Sequence, residues 1–600
     1  MTASDRLRRE AQTRERMATV RDPINMLRIV ADHSPSHDAM VHFRNADDLS
    51  PVRLDYAALA EQTARLGAAL QGAGIKPDHV VAIVVPSIPE CMIAIMAASS
   101  VAIAFPVNLL LGPEAMASQF ALANVRAVIA FGANENSTLD ETVANAIALA
   151  GGVELVIEID GGSGRSGALQ RCSAQYAWWP DLLGSADPAA VRIIHGDRSA
   201  ALFHTGGTTG APKLADLSLD GLMASMHASA AGIGWRSDDR VLQLLPFFHV
   251  GGGVVVGMAL FSTGSTLLNC GLAGARDRQT VNAIWEISAR EKVTVIALVP
   301  PTWSQVAELG KPALWPELRA LVTGATSIGP SLVRSITELT GIPLSQVLGM
   351  TELSGAGGNQ PLDGIEYQPA IGTPTPLVET QLVPIVPGGP DELYVRGPML
   401  FRGYRTVEGL IEHPKEKWHA TGDLAEMTSD GQIRLIGRSK DVIIRSGHNI
   451  DPQTIEETVC HHPAVAMVAA VGMPDAYAGQ VPVLFVTRKP GALVEEEELI
   501  AFVTQHIEEP PARPKRILLV NSLPLTAVGK IARFQLRQQA VAMRAVEELA
   551  GLSKVLDISC TDIGARNVTV IWSADPDDKE KREAENLLAP FELNADHEII

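Results

Sequence analysis

Helix-period and apolar segments alternate over residues 51–108: a helix-period stretch over 56–73, an apolar run over 80–85, a helix-like stretch over 89–100 and a second apolar run over 101–107. Short apolar runs divided by helices are strands buried on both faces, and a parallel sheet covered by helices is the arrangement that buries them. The same alternation returns at 127–130, 155–159, 200–204, 241–244, 293–299 and 318–322. It predicts an α/β fold, with one large layered N-terminal domain over 1–437. Beyond it the pattern shortens to a helix over 452–459, strands over 464–471 and 481–487, and a helix over 495–506. That reads as a smaller, mobile α+β C-terminal domain over 438–540. Residues 541–600 hold a helix-like stretch (543–549), a strand candidate (568–572) and a charged helix (577–588). They form a C-terminal extension without a functional motif.

The net charge of -19 argues against a nucleic-acid surface, which needs a basic footprint, so an anionic substrate needs a local positive site. Five cysteines (Cys91, Cys172, Cys270, Cys460 and Cys560) stand far apart without a CxxC pair, and neither a disulfide framework nor a thiolate zinc site is expected. The first twenty residues mix arginines with Asp5, Glu10 and Glu15 and carry no apolar run, unlike a secretory signal. The most apolar segment, 91–105, is interrupted by Ser99 and Ser100 and falls short of the ~20 residues that cross a bilayer. A cytoplasmic protein with no membrane span is the expectation.

Thr205, Gly206, Gly207, Thr208, Thr209, Gly210, Ala211, Pro212 and Lys213 follow a short apolar strand and precede a helix starting near 219. Glycines let backbone N–H groups converge on phosphate oxygens, threonine hydroxyls add donors and lysine adds charge, so a nucleoside triphosphate cradle is the natural use. A flexible surface loop is the alternative. It is not a Walker A loop, because Pro212 precedes the lysine and Leu214 comes after it. A second glycine run, 162–167, matches GxGxxG, but residues 168–188 offer neither a well-formed helix nor a strand-end acid, so a surface connector is expected there.

Further motifs stand in order along the chain: Pro246-Phe-Phe-His249, Thr323-Gly-Ala-Thr326, Leu348-Gly-Met-Thr351-Glu352, Thr421-Gly-Asp423, Gly437-Arg438-Ser-Lys440, Ser446-Gly447 and Gly529-Lys530. With the glycine loop before them, they resemble the adenylate-forming (AMP-binding) enzymes of the acyl-CoA synthetase type, over about residues 25–540. Read alone, Thr351-Glu352 suits a phosphate contact and a Mg²⁺ ligand or equally a helix N-terminus. Asp423 alone reads as a turn acid, His249 in apolar company as a core histidine, and Lys530 as a solvated lysine.

The resemblance implies more. Asp423 and Arg438 would hold the ribose, Gly324 and Ala325 would flank adenine beside Leu348, and Glu352 would bind Mg²⁺. Lys530 would face the carboxylate and α-phosphate during adenylation, and His249 would stand at the acyl-site entrance. Lys440 would be the hinge, and Gly447 would turn inward to form a pantetheine tunnel. Val254, Val255, Met258, Trp303 and Gly355 are candidates for an apolar acyl pocket. The implied activity is ligation of a small carboxylic acid through acyl-AMP, with ATP, Mg²⁺ and coenzyme A as cofactors. A carrier-protein thiol is an alternative acceptor, and a non-catalytic nucleotide-binding relative is a further alternative. Two departures stand out: Leu348 occupies a position where the family often has an aromatic residue, and Leu217-Ser218-Leu219 replaces a segment that often carries histidine.

Overall fold

The computed structural model describes residues 3–205, 213–310, 315–324, 328, 330–360, 362, 372–384, 391–414, 416–428, 431–446, 448–507, 509–526, 530–560 and 566–599. The expected single layered body is built on two large sheets. In one, Leu344–Met350, Ala320–Gly324, Val295–Leu298, Arg240–Gln243, Thr266–Cys270 and Asp38–Phe43 run parallel, with antiparallel strands at both ends. In the other, Ile103–Pro106, Val80–Val84, Val125–Phe131, Leu155–Ile159 and Gln175–Trp178 form the parallel part. Helices Pro89–Val101 and Leu219–Ile233 are buried almost throughout, as elements covered by neighbours on every side must be. A four-stranded antiparallel sheet (Glu379–Pro384, Asp391–Arg396, His419–Met427 and Ile433–Arg438) completes the body.

The 162–167 glycine run is the connector expected of it. Gly162 and Gly164 adopt positive φ, and the next helix is the four-residue Gly167–Gln170. Among the described residues no helix is long and apolar enough to cross a membrane.

After the last strand of the large body the chain forms a small sheet from Val465–Asp475, Gly479–Arg488, Arg516–Leu519 and two short strands, with helices Pro452–Cys460 and Glu496–His506 against it. Helix Arg533–Leu549 then runs through the expected boundary at 540. Its Leu536 and Ala540 pack under the small sheet. Its Val541, Ala545 and Leu549 pack against Val568, Val570, Trp572 and Leu588 of the extension, which folds as a three-stranded sheet with helix Asp578–Leu588. The 543–549 stretch is therefore the end of a longer helix, and the extension is mounted rigidly on the small domain.

A chain ending at residue 550 leaves Val541 and Leu549 without cover, at about 1.5–3 kcal/mol for each large apolar side chain. The expected outcome is a lower unfolding temperature in calorimetry together with aggregation; an unchanged transition would show that the extension contributes nothing to the fold.

Candidate active site

The glycine-rich loop closes a hairpin, not a strand–helix turn: Ser199–His204 pairs antiparallel with Leu214–Ser218, His204 opposite Leu214, and the helix starts only at Leu219. No helix N-terminus therefore stands at the loop's exit. Gly206, Gly207, Thr208, Thr209 and Gly210 lie outside the described residues; Thr205 and Lys213 flank them. The base of the hairpin is cross-braced. Fully buried Asp216 pairs with Arg405 at 2.8 Å and accepts from Ser199 Oγ at 2.9 Å, while Arg402 donates to the same Oγ at 2.7 Å. Both bonds to Asp216 fall on Oδ2, and Oδ1 is buried without a hydrogen-bond partner among the described residues, so the pairing with Arg405 is what holds this carboxylate under the strand that delivers the loop.

Thr351 and Glu352 sit on a single 3₁₀ turn, Thr351–Leu353, after strand Leu344–Met350, so neither reading of this pair describes a full helix. Thr351 Oγ1 donates to the His204 carbonyl at 3.4 Å, tying this turn to the edge of the loop. The Glu352 carbonyl accepts from Phe401 N at 2.8 Å, and its carboxylate accepts from Tyr404 OH at 2.5 Å. Tyr404 in turn lies under the Lys213 ammonium, which is 5.8 Å from the ring centre. His413 and His419, with ring centres 5.2 Å apart, pack against Phe401 on the same side. Burial holds the His419 imidazole toward neutrality against the pull of Glu352.

Asp423 and Arg438 face each other across the antiparallel strands His419–Met427 and Ile433–Arg438, Arg438 Nε standing 2.6 Å from Asp423 Oδ1. Burial raises the Asp423 pKa, while Arg438, Lys530 and Lys440 oppose the rise. Lys530 closes a tight turn in which its N–H donates to Thr526 Oγ1 at 3.1 Å and its carbonyl accepts from Thr526 N at 2.6 Å. Burial, then Arg438, push its ammonium down to about 8, and Asp423 and Glu352 pull the other way. Three cations, Arg438, Lys440 and Lys530, thus act among the carboxylates Asp423, Glu352 and Asp441, a local concentration of positive charge in a chain of net charge -19.

His249 Nδ1 accepts from Gly251 N at 3.1 Å, which leaves the proton on Nε2 in the neutral ring. Burial, then Lys530 and His204, push its pKa down to about 3, so it is a neutral donor, not a cation. The ring lines an apolar cavity of about 60 Å³ together with Trp235, Val255, Gly324, Val347 and Gly355. At 355 an added Cβ would lie 2.3 Å from Ser225 Oγ and 3.1 Å from Val255 Cγ2, so the serine hydroxyl would have to rotate away. At 324 a Cβ would approach the Val347 carbonyl to 2.8 Å.

The structure brings Lys530, Asp423, Arg438, Lys440, Glu352, Thr351 and His249 to one place, with Val255, Gly324 and Gly355 beside them. Leu348, half-buried, packs toward the cluster around Leu353 and Met399. Val254, Met258 and Trp303 do not line the cavity. Val254 and Met258 are fully buried in the main core. Trp303 belongs to the core beneath the other sheet, its indole donating to the Val322 carbonyl at 3.0 Å. For Val254 and Met258 the physical reason lies in the π-helix Gly251–Met258, where i→i+5 bonding turns residues away from the faces that α-helical spacing implies; Trp303 is on helix Pro300–Glu308, packed on the opposite face of that sheet from the main core. Ala325 and Gly447 lie outside the described residues. Tyr404, His204 and Trp235 escaped the sequence reading, because single aromatic residues carry no local signal and reach the site only through the strand pairings.

A hairpin carrying the glycine-rich segment, a buried carboxylate–guanidinium pair and a lysine from the second domain thus meet in one place, in a two-domain chain. The model of the AMP-binding enzyme family matches residues 27–405, and that of the AMP-binding enzyme C-terminal domain matches 454–530. The chain belongs to this family, the adenylate-forming enzymes of acyl-CoA synthetase type. It is 29% identical over 553 residues to a marinolic acid–CoA ligase of Pseudoalteromonas sp. (strain SANK 73390), covering 88% of this chain and 83% of that one. It is 30% identical over 341 residues to a 2-succinylbenzoate–CoA ligase of Lactococcus lactis, 57% and 71% of the two chains. The crystal structure of a benzoate CoA ligase from Burkholderia xenovorans LB400 matches its fold with a TM-score of 0.72 at 23% identity, over 86% of this chain and all of that one.

Trp303→Ala is expected to destabilise the chain by about 3–5 kcal/mol, the cost of emptying a large core site, as read by denaturant unfolding. A variant of native stability with altered acid preference would instead return Trp303 to the acyl pocket.

Proposed function

We propose that the chain activates an apolar carboxylic acid with ATP and passes the acyl group to coenzyme A. The observation that carries this reading is the convergence of Lys530, Arg438, Asp423 and Glu352, with Lys530 also acting on His249 of the apolar cavity. In the first step a carboxylate oxygen bonds to the α-phosphorus, the bond from that phosphorus to the bridging oxygen breaks, and pyrophosphate leaves. In the second, a thiolate sulfur bonds to the acyl carbon and AMP departs with its oxygen.

Two anions must meet in the first step, and a preorganised cation in a site sheltered from water is what lowers that barrier. Lys530 has this place. Neutral His249 offers Nε2–H to the acid's carboxylate, and Asp423, steadied by Arg438, accepts from the ribose hydroxyls. Thr351 and the 205–213 loop would receive the phosphates. The Glu352 carboxylate, with one oxygen taken by Tyr404, retains lone pairs suited to Mg²⁺, which binds through one or two carboxylates plus substrate phosphates; the ion would neutralise phosphate charge. In the second step a rotation at Lys440 would withdraw Lys530 and bring the 446–448 segment inward.

The apolar lining from Val255, Val256, Ala297, Leu298 and Val322 favours an uncharged group next to the carboxylate. The relatives named above act on different acids, so the family by itself does not choose among them. Acid-dependent pyrophosphate release across medium-chain, aromatic and alicyclic acids tests the reading, and release with none of them overturns it. Replacing coenzyme A by a carrier protein in the thioester assay decides the acceptor.

Lys530→Ala is expected to slow adenylation about 10²- to 10³-fold, the cost of one preorganised contact, while sparing thioester formation from supplied acyl-AMP. An equal fall in both half-reactions would sink the step-specific role. Because lysine is charged below its pKa, kcat/KM for adenylation should hold up to about pH 8 and then fall about tenfold per pH unit. Lys530→Arg should remove that alkaline limb from the pyrophosphate-release profile, and a limb that persists in this variant would belong to another group.

A further inference from the structure

The N-terminal helix Ala3–Thr19 is mounted with its polar side toward the protein. A surface helix ordinarily turns an apolar stripe inward, yet here Leu7 is 67% exposed while Arg9 reaches in to the carbonyls of Ala231 (2.6 Å) and Gly232 (2.9 Å). Thr13, buried, donates back to the Arg9 carbonyl at 2.7 Å. Between this helix and helix Leu219–Ile233 lies a cavity of about 730 Å³ lined by Arg8, Arg9, Gln12, Thr13 and Arg16, with Glu15 the one acid among the lining residues. Three guanidinium groups facing one space, in a chain of net charge -19, form a setting for an organic anion.

The cavity's floor includes Trp235, which also lines the acyl cavity. The indole is buried, and its N–H makes one long hydrogen bond, 3.4 Å, to the Val255 carbonyl. It stands immediately after Gly234, whose left-handed φ of +87° ends the helix, so the wall between the two spaces is a turn, not a helix. The acyl cavity offers only about 60 Å³, against about 730 Å³ in the space behind Trp235, so a long acid must move a wall to enter. Behind this one is free volume.

We propose that the acid's far end passes Trp235 into the arginine-lined cavity, and that the substrate is an elongated acid with a hydroxyl or carboxylate at its far end. This rests on the acid-activating reading above. The apolar cavity takes the stem, and Arg8, Arg9 and Arg16 take the polar terminus. A methyl terminus gains nothing from these guanidinium groups, whereas a terminal carboxylate forms charge-assisted hydrogen bonds with them.

The test compares straight-chain acids of matched length ending in methyl, hydroxyl or carboxylate, by pyrophosphate release. KM is expected to be lowest for the dicarboxylic acid. Arg16→Gln should raise KM for the dicarboxylic acid about tenfold relative to its methyl-ended counterpart, the size of a lost charge-assisted hydrogen bond, and Arg16→Glu should raise it further. Arg16 is exposed, so these variants keep the fold, whereas Arg9 anchors the helix. Equal KM values across the three termini, or a ratio that neither variant moves, overturns the proposal. No release with any acid overturns the acid-activating reading itself.

Discussion

A buried carboxylate is costly unless cations surround it, and Asp423 is the one on which this molecule's geometry turns. Its strand ends the large body, Arg438 across the ladder begins the link to the small domain, and Lys530 arrives from that domain's far end. Burial raises the Asp423 pKa, and the guanidinium at 2.6 Å and the ammonium of Lys530 oppose that rise. The dependence is mutual: Lys530, crowded by Arg438 and Lys440, is held as a cation by Asp423 and Glu352. The two domains are therefore in register through charges that neither could bury alone.

The same balance explains how a strongly acidic chain can receive a polyphosphate. Repulsion from a net charge of -19 is screened within about 10 Å at moderate salt, so what a bound nucleotide feels is the local set. That set brings Arg438, Lys440 and Lys530 among Asp423, Glu352 and Asp441, with Lys213 held over Tyr404 at the hairpin's edge. Tyr404 links the two halves of the arrangement, its ring meeting Lys213 and its hydroxyl meeting Glu352.

Strands and helices were legible because burial on both faces leaves a continuous apolar run: 80–85 became Val80–Val84, and 56–73 became Tyr56–Gly72. Sheet order was not, since pairings such as Asp38–Phe43 beside Thr266–Cys270 join residues far apart in the chain, and an apolar run carries no address for its neighbour. In the site, the residues read from separate motifs (Asp423, Arg438, Lys530, Glu352) are brought into one cluster. The acyl pocket was read less well. Val254 and Val255 are the same residue type side by side, and only the π-turn decides that one lines the cavity and the other fills the core. Tyr404 was missed for the opposite reason: it enters the site through the pairing of Gly403–Thr406 with Leu214–Ser218, a contact no local pattern announces.

Helix Arg533–Leu549 makes the small domain and its extension one lever. Arg533 pairs with Glu456, and Arg537 with Asp441 beside the proposed hinge at Lys440; the far end of the helix carries the extension's core. The Lys530 turn immediately precedes this helix. A rotation at residue 440 would therefore have to carry Lys530, the clamp on Glu456 and the three-stranded extension together, because no flexible joint separates them among the described residues. Because the Lys530 backbone is tied to Thr526 at both N–H and carbonyl, such a rotation would carry the cation away and turn the strand ends at Ser446 and His448 in one motion, as two half-reactions sharing one site would need.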